Sequence, residues 1–380
     1  MNKITYIGVN DKLIDLFEGQ YKVPNGMSYN SYLIKSEKSL IMDSVDYNFR
    51  KEWLSNIENA LNGNYPDYLV IQHMEPDHSG SVEAFLEKYP NTTVVGNKQI
   101  KQMLQNFFPN LVINNYLEVK ENDELILGDV TLKFVFAPFV HWPEVMMTYA
   151  VELKALFTAD GFGKFGSLDV AEPWESEARR YYIGIVGKYG EQVQNVLKKV
   201  SNLEIEAIYP LHGPVLDDNL GYYLDLYNKW SSYTPESDGV VIASSSVYGN
   251  TLEAAKYLKN KLNELGYNNV LLFDLSRSDI HEVISQSFKY SKLVCASLTY
   301  NGGIFPHMET FISGLTERNY QNRKLAIIEN GSWAPMAAKV IKEKFEKSNG
   351  IELIKTVKFK SAIDDATKKE LDDLAENLMK

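Results

Sequence analysis

The stretch HMEPDHSG, residues 73–80, places two imidazoles and two carboxylates within six consecutive positions. Three more residues of the same kinds stand downstream: His141, Asp160 and His212. Together His73, Glu75, Asp77, His78, His141, Asp160 and His212 offer four imidazoles and three carboxylates. A structural zinc takes only four ligands, mostly sulfur and nitrogen. Seven nitrogen and oxygen donors suit two metal ions, with one carboxylate bridging and positions left open for substrate. Imidazole mixed with carboxylate fits iron or manganese better than copper or a closed zinc site. The plain alternative is unrelated polar residues that cap or line loops, and it has to account for all seven at once.

A second chemistry is written at SSSVYGNT, residues 244–251. A Ser-x-x-Gly-Asn-Thr loop that opens a helix presents hydroxyls and backbone N–H groups to a phosphate, assisted by the helix dipole. This loop has neither the lysine of a Walker loop nor the G-x-G-x-x-G spacing, so ATP and NAD fit it poorly while a monophosphate fits well. The candidates here are Ser246, Tyr248, Gly249, Asn250 and Thr251. Two further loops, TYNGGIFP and ENGSWAP, add Thr299, Tyr300, Asn301, Gly302 and Gly303, and Asn330, Gly331, Ser332 and Trp333. Their glycines let backbone approach a flat ring, and Trp333 or Tyr300 can cover its face. The alternative is glycine-rich turns around one packed tryptophan.

These residues need elements to position them. YLVIQ runs into His73, FVFAP precedes His141, ALFTAD ends at Asp160, and EAIYPLHGP carries His212. Four strand ends thus each deliver donors. Short strand-like runs dominate the first 230 or so residues, and the alternation along TLKFVF and MMTYAV predicts a mixed or antiparallel sheet packed on one side. From residue 239 apolar runs of strand length alternate with helical stretches, from VVIASSS and TLEAAKYLKNKLNELG to the final DATKKELDDLAENLM. Five such alternations predict a doubly wound, five-stranded parallel sheet, with ligands bound beyond the strands' C-terminal ends. The segment TPESDG, 234–239, suits a linker. Two domains are therefore expected, 1–235 and 239–380. His281 and His307 fall on helical stretches of the second and read as surface or helix-end residues. Cys295 lies in a strand and reads as core.

Composition narrows the classes. A chain of 380 residues, 44% hydrophobic and 23% charged, is an ordinary globular protein with room for two cores. A net charge of −11 without a basic cluster argues against nucleic-acid binding. No apolar run approaches the ~20 residues that span a bilayer, and the N-terminus lacks a signal-peptide pattern, so a cytoplasmic location without membrane attachment is expected. The single cysteine excludes internal disulfides and a four-thiolate metal site within this chain.

The HxExDH motif, the later His141, Asp160 and His212, and the SSSVYGNT loop together resemble the flavodiiron proteins, over nearly the whole chain and in the same domain order. The connection from Asp160 to His212 is somewhat short for that family. The resemblance implies an N-terminal metallo-β-lactamase-like αββα sandwich and a C-terminal flavodoxin-like domain, hence an α/β protein. It implies FMN and two non-haem irons as cofactors. By position, one iron would take His73, Glu75 and His141 and the other Asp77, His78 and His212, with Asp160 bridging; in relatives the equivalent of His78 does not always ligate. Hydrolases of the same fold carry a histidine where Glu75 stands, and an anionic oxygen there favours redox-active iron over zinc. Trp142 and Tyr189 both read first as packing aromatics; because relatives place aromatics beside the metals, Tyr189 as an outer donor to bound substrate is the alternative reading.

The implied activity is reduction of O2 to water, of NO to N2O, or both. Two electrons stored at iron and two at flavin match the four-electron reaction. O2 is the expected preference; NO reduction as the main role and a zinc hydrolase joined to a flavodoxin are the alternatives, as is a pure electron carrier. Neither a nicotinamide fingerprint nor a rubredoxin cysteine set is present, so the resemblance implies a separate rubredoxin-type donor. It also implies a head-to-tail homodimer, with a dimer of dimers as the larger form.

Overall fold

The computed structural model describes residues 3–380 and divides into two compact units, Met1–Asn228 and Lys229–Lys380. The division falls inside the helix Leu220–Ser231.

The first unit contains two mixed sheets. One runs, in spatial order, Ile4–Tyr6, Tyr32–Lys35, Ser39–Met42, Tyr68–Val70, Thr93–Gly96 and Tyr116–Glu118. Its first pairings are antiparallel and those from Ser39–Met42 onward are parallel. The other runs Glu124–Ile126, Thr131–Phe136, Met146–Ala150, Ala155–Phe157 and Ala207–Tyr209, antiparallel except for the last pair. Residues of both sheets, among them Leu33, Ile41, Leu69, Val94, Phe134, Met146 and Phe157, join a single buried core. Helices Arg50–Leu61 and Val82–Lys88 seal it with Trp53, Ile57, Phe85 and Leu86. The unit is an α/β fold built on two mixed sheets. The strand Thr131–Phe136 alternates over its first four residues and then also buries Val135, and Met146–Ala150 is buried at every position, so this part of the sheet is covered on both faces and not on one side as the alternation predicted.

The second unit has five parallel strands in the order Val270–Asp274, Ser237–Ser244, Tyr290–Tyr300, Arg323–Asn330 and Ile351–Phe359. This 2-1-3-4-5 order puts the reversal of winding between the strands that end at Ser244 and Tyr300, the crevice where doubly wound sheets bind ligands. A two-residue strand, Gly303–Ile304, folds back antiparallel on Thr299 and Tyr300. The first strand starts at Ser237, inside the polar segment 234–239. Those polar side chains are absorbed at the sheet's edge, where Asp238 receives hydrogen bonds from Lys292 (2.6 Å) and Tyr267 (2.6 Å). Among the described residues no helix is long and apolar enough to cross a membrane.

Candidate functional site

The metal-ligand candidates fall where the central strand Tyr68–Val70 ends. Asp43 fixes the chain beyond it, accepting from the Gln72 N–H (2.7 Å) and side-chain amide (2.9 Å). Glu75 then caps a one-turn helix, Pro76–Ser79, with proline in the first turn, where its missing N–H costs nothing. That turn sends Glu75 one way and Asp77 and His78 the other. Ser44 holds it through two bonds to the His78 carbonyl, and Ser79 donates to the Met74 carbonyl (2.8 Å). Gly80 is obligatory: a Cβ there would sit 2.5 Å from the Pro76 carbonyl oxygen and 2.8 Å from the Tyr47 nitrogen.

The structure brings all seven donors together in two sets. His73, Glu75, His141 and Asp160 form one, and Asp77, His78 and His212 the other, with the donor atoms of each set within 4.8 Å of one another. Asp160 lies between the sets. Its Oδ2 is 3.1 Å from His141 Nε2 and 3.4 Å from His73 Nε2, and its Oδ1 is 3.2 Å from His78 Nε2 and 3.7 Å from His212 Nε2. One carboxylate oxygen per set is the arrangement of a bridge. Glu75 Oε2 faces both histidines of its set, at 3.3 and 3.1 Å. Asp77 Oδ2 does the same for His78 and His212, at 3.3 and 3.2 Å.

The donor set fits cations. Both oxygens of Asp77, the Oδ1 of Asp160 and one oxygen of Glu144 are buried without a hydrogen bond. His78 and His212 aim their Nε2 atoms at each other, 3.0 Å apart. Buried polar atoms are ordinarily satisfied, so this concentration of inward lone pairs marks positions that positive charge completes. Protons distort accordingly. Burial opposes charging His73, but Asp160, Glu144 and Glu75 carry its pKa well above the usual histidine range. For His141 burial is likewise outweighed, by Asp160 and Glu75, and the pKa reaches about 9. Asp77 is pushed up to about 7 by burial, with Glu75 and Asp160 adding to it. Asp160 and Glu75 are held below the carboxylate range by the histidines in spite of burial. A metal entering here displaces protons, so its affinity is coupled to pH.

The outer contacts are ones the sequence does not announce. His73 Nδ1 lies 2.8 Å from Glu144 Oε1, which also accepts the Met74 N–H at 2.9 Å. His212 Nδ1 donates to the Ser28 carbonyl at 2.6 Å. Both bonds leave Nε2 as the inward atom, the usual way a protein fixes a metal-binding tautomer. Tyr189 is not against the ligands: it stacks on Phe139, with ring centres 5.8 Å apart. The tyrosine at the site is Tyr181, fully buried, its ring 5.4 Å from that of His212 and its hydroxyl without a partner. Burial and the Asp160, Glu75 and Asp77 carboxylates raise its pKa well above the usual value, so the phenol keeps its proton. Trp142 meets His73 edge-on at 5.2 Å and stacks on Phe107.

The second unit carries a cavity of about 670 Å³ at its winding reversal. Ser246, Tyr248, Asn250, Thr251, Thr299, Tyr300, Asn301, Gly302, Asn330, Gly331, Ser332 and Trp333 line it. Gly249 and Gly303 do not line it but shape it. Gly249 takes φ 96° at the start of the helix Asn250–Glu264 and donates its N–H to Ser246 Oγ (3.0 Å), and Gly303 pairs with Tyr300. The first-turn N–H groups of that helix carry no side-chain cap, as an anion site requires. Val247, Leu298, Ala334 and Ser361 complete the lining and were not foreseen. Asn330 braces it from within, donating to Thr251 Oγ1 (3.3 Å) and the Ser361 carbonyl (3.0 Å) and accepting the Ser361 N–H (2.9 Å). No lysine or arginine lines the cavity, while Trp333 and Tyr248 stand 82% and 93% exposed on its rim. A monophosphate bearing a flat ring matches that chemistry. His281 and His307 sit on helices, and Cys295 is a buried core thiol.

Comparison with known proteins agrees with this architecture. Residues 27–213 match the family model described as the ODP family beta lactamase. The anaerobic nitric oxide reductase flavorubredoxin of Salmonella typhi is 29% identical over 346 residues, covering 88% of this chain and 72% of that protein. The rubredoxin oxygen:oxidoreductase of Desulfovibrio gigas superposes with a TM-score of 0.92 at 24% identity, covering 100% of this chain and 96% of the other. The flavodiiron protein of Giardia intestinalis gives a TM-score of 0.90 at 25% identity, with the same coverage.

Proposed function

We infer that this chain, which belongs to the flavodiiron proteins, is an oxidoreductase that reduces O2 to water and NO to N2O, with O2 preferred. The observation that carries this reading is Asp160, one oxygen turned to each of two donor sets. Two irons held by these residues would supply the redox-active Lewis acids for the diatomic, and FMN in the second unit would supply electrons.

The protein's own residues do the positioning. His73, Glu75 and His141 would hold one iron, Asp77, His78 and His212 the other, and Asp160 would bridge them. The three carboxylates Glu75, Asp77 and Asp160 would neutralise much of the charge of two cations held there and so would favour the oxidised pair. Tyr181, kept protonated, is the hydroxyl available to donate toward a bound oxygen. Ser246, Asn250, Thr251 and the free N–H groups of their helix would take the FMN phosphate, and Trp333 and Tyr300 would flank its ring.

A rubredoxin-type protein is the proposed donor, a reading supported by the name of the Salmonella relative, a flavorubredoxin. We also propose a head-to-tail homodimer in the cytoplasm, the flavin of one copy serving the irons of its partner. Exposed aromatics beside each site, Phe139 and Phe107 in one unit and Trp333 and Tyr248 in the other, suit such a contact. NO as the main substrate is the second reading, favoured by the name of the Salmonella relative.

The test is single turnover without a partner protein. Protein of measured iron and FMN content is photoreduced anaerobically and mixed with O2 or with NO. Fast reoxidation by O2 without peroxide supports the stated preference, and rapid N2O formation with sluggish O2 turnover reverses it. Zinc in place of iron, with inertness to both gases, refutes the oxidoreductase reading.

A further inference from the structure

The two donor sets look balanced. Each has two histidines and one carboxylate of its own, and each takes one oxygen of Asp160. They differ in what stands behind the imidazoles. His73 backs onto Glu144, 0% exposed, whose Oε1 accepts from the His73 ring and the Met74 N–H while its Oε2 has no partner. Among the described residues no lysine or arginine pairs with Glu144; its one ionic neighbour is His73. His212 backs onto a neutral carbonyl, that of Ser28, and His78 Nδ1 has no partner at all. Asp43, also buried, is taken up by its two hydrogen bonds from Gln72 and is hydrogen-bonded to neither the His78 nor the His73 ring.

A buried anion without a counter-charge is costly unless a cation lies within reach. Here the reachable cation position is the one on the far side of the His73 ring. An anion behind an imidazole pulls its N–H, raises the basicity of the opposite nitrogen and favours the higher charge on a metal bound there.

We propose, on the diiron reading above, that Glu144 is a positioning residue that makes the His73–Glu75–His141 iron the harder of the two to reduce. In the one-electron-reduced centre the ferric ion then belongs to that set and the ferrous ion to Asp77–His78–His212. The seven donors alone do not specify this asymmetry; one buried carboxylate outside them does.

The test compares wild-type holoprotein with E144Q, which keeps the length and an acceptor oxygen for both N–H groups but removes the charge. Potentiometric titration followed by the electron paramagnetic resonance of the mixed-valent pair gives the two iron midpoints, and the flavin absorbance gives its own. The expected result is a positive shift of the lower iron midpoint only, by roughly a tenfold loss of ferric preference, about 59 mV for one electron. E144D, which retains the charge, should recover part of the shift. Two unchanged iron midpoints in iron-loaded E144Q, or two midpoints moving together, overturn the assignment.

A measurement on the unmutated protein covers the case in which E144Q does not fold or fill. In crystals of protein loaded with one ferric ion and one zinc, anomalous scattering at the two absorption edges should place iron on the His73 side. Iron on the His212 side, or mixed occupancy, overturns the proposal while leaving the diiron reading intact. Protein that takes two zincs and refuses iron overturns both.

Discussion

Asn330 offers a direct check on how the flavin pocket is held. Its amide joins two segments that the fold brings together, the Thr251 hydroxyl on the phosphate-loop helix and the backbone of Ser361. The paired bonds to Ser361, one given and one received, also fix which side-chain atom is oxygen. Asn330→Ala removes three hydrogen bonds. Each contributes about 1 kcal/mol net, and the Thr251 hydroxyl, 2% exposed, is left unpaired. Ser361 is exposed and recovers water, so the sum is about 2–4 kcal/mol rather than more. Part of this falls on folding of the second unit and part on the pocket's preorganisation. A pocket share of about 2.8 kcal/mol is a hundredfold in FMN affinity. A folding share of ~1 kcal/mol lowers the melting point by about 2–4 °C. The assay is recovery of free-flavin fluorescence on dilution, beside thermal melts of the flavin-free protein. Asn330→Asp, which keeps the acceptor for the Ser361 N–H but sets a buried carboxylate oxygen against the Ser361 carbonyl, should be no milder than the alanine variant. An Asn330→Ala protein with wild-type flavin affinity and an unchanged melt would refute the bracing role.

Other expectations follow from the same geometry. Replacing His141 with Asn should lower iron occupancy and gas reduction while leaving bound flavin in place; full activity would remove it from the ligand set. Replacing Asn250 and Thr251 together with alanine should release flavin and spare iron, as metal analysis and absorbance would show. Chelating the metal should lower the melting point of the first unit, since a ligand at a hundredfold its dissociation constant contributes about 2.7 kcal/mol; identical melts with and without iron would count against a metal centre. At Asp238 burial raises the pKa, but Lys292, Ser291 and Tyr267 together hold it down at about 2. Its contribution is therefore complete above the ordinary aspartate value and is lost as pH falls through about 2. The carboxylate is more than half exposed, so the loss is below ~1 kcal/mol, and Asp238→Asn should abolish that part of the acid dependence.

The candidate metal donors and the parallel sheet were legible because both follow local rules. Strands ended where apolar runs met His73, His141, Asp160 and His212, and the strand–helix alternation after residue 239 admitted few other folds. What escaped was decided by contacts far apart in sequence. Glu144 stands three residues beyond His141 yet serves His73, and the Ser28 carbonyl reaches His212 across most of the unit. Tyr189 and Tyr181 were not separable by helical phase, because a π-helical turn over Tyr182–Val186 and a 3-10 turn over Gly187–Tyr189 break the register between them. Ser361 enters the flavin cavity from a loop with no glycine-rich signature, held there by Asn330.

The order of the ligands along the chain also sets an order in time. A ribosome releases His73, Glu75, Asp77 and His78 first, then His141 and Asp160, and His212 only with the strand Ala207–Tyr209, at ~5–20 residues per second. Before that strand pairs with Ala155–Phe157 the second set lacks a donor, and until both sheets close the bridge has no fixed direction. The His73–Glu75–His141–Asp160 set is thus complete in sequence before the Asp77–His78–His212 set, and both are complete before the second unit is made.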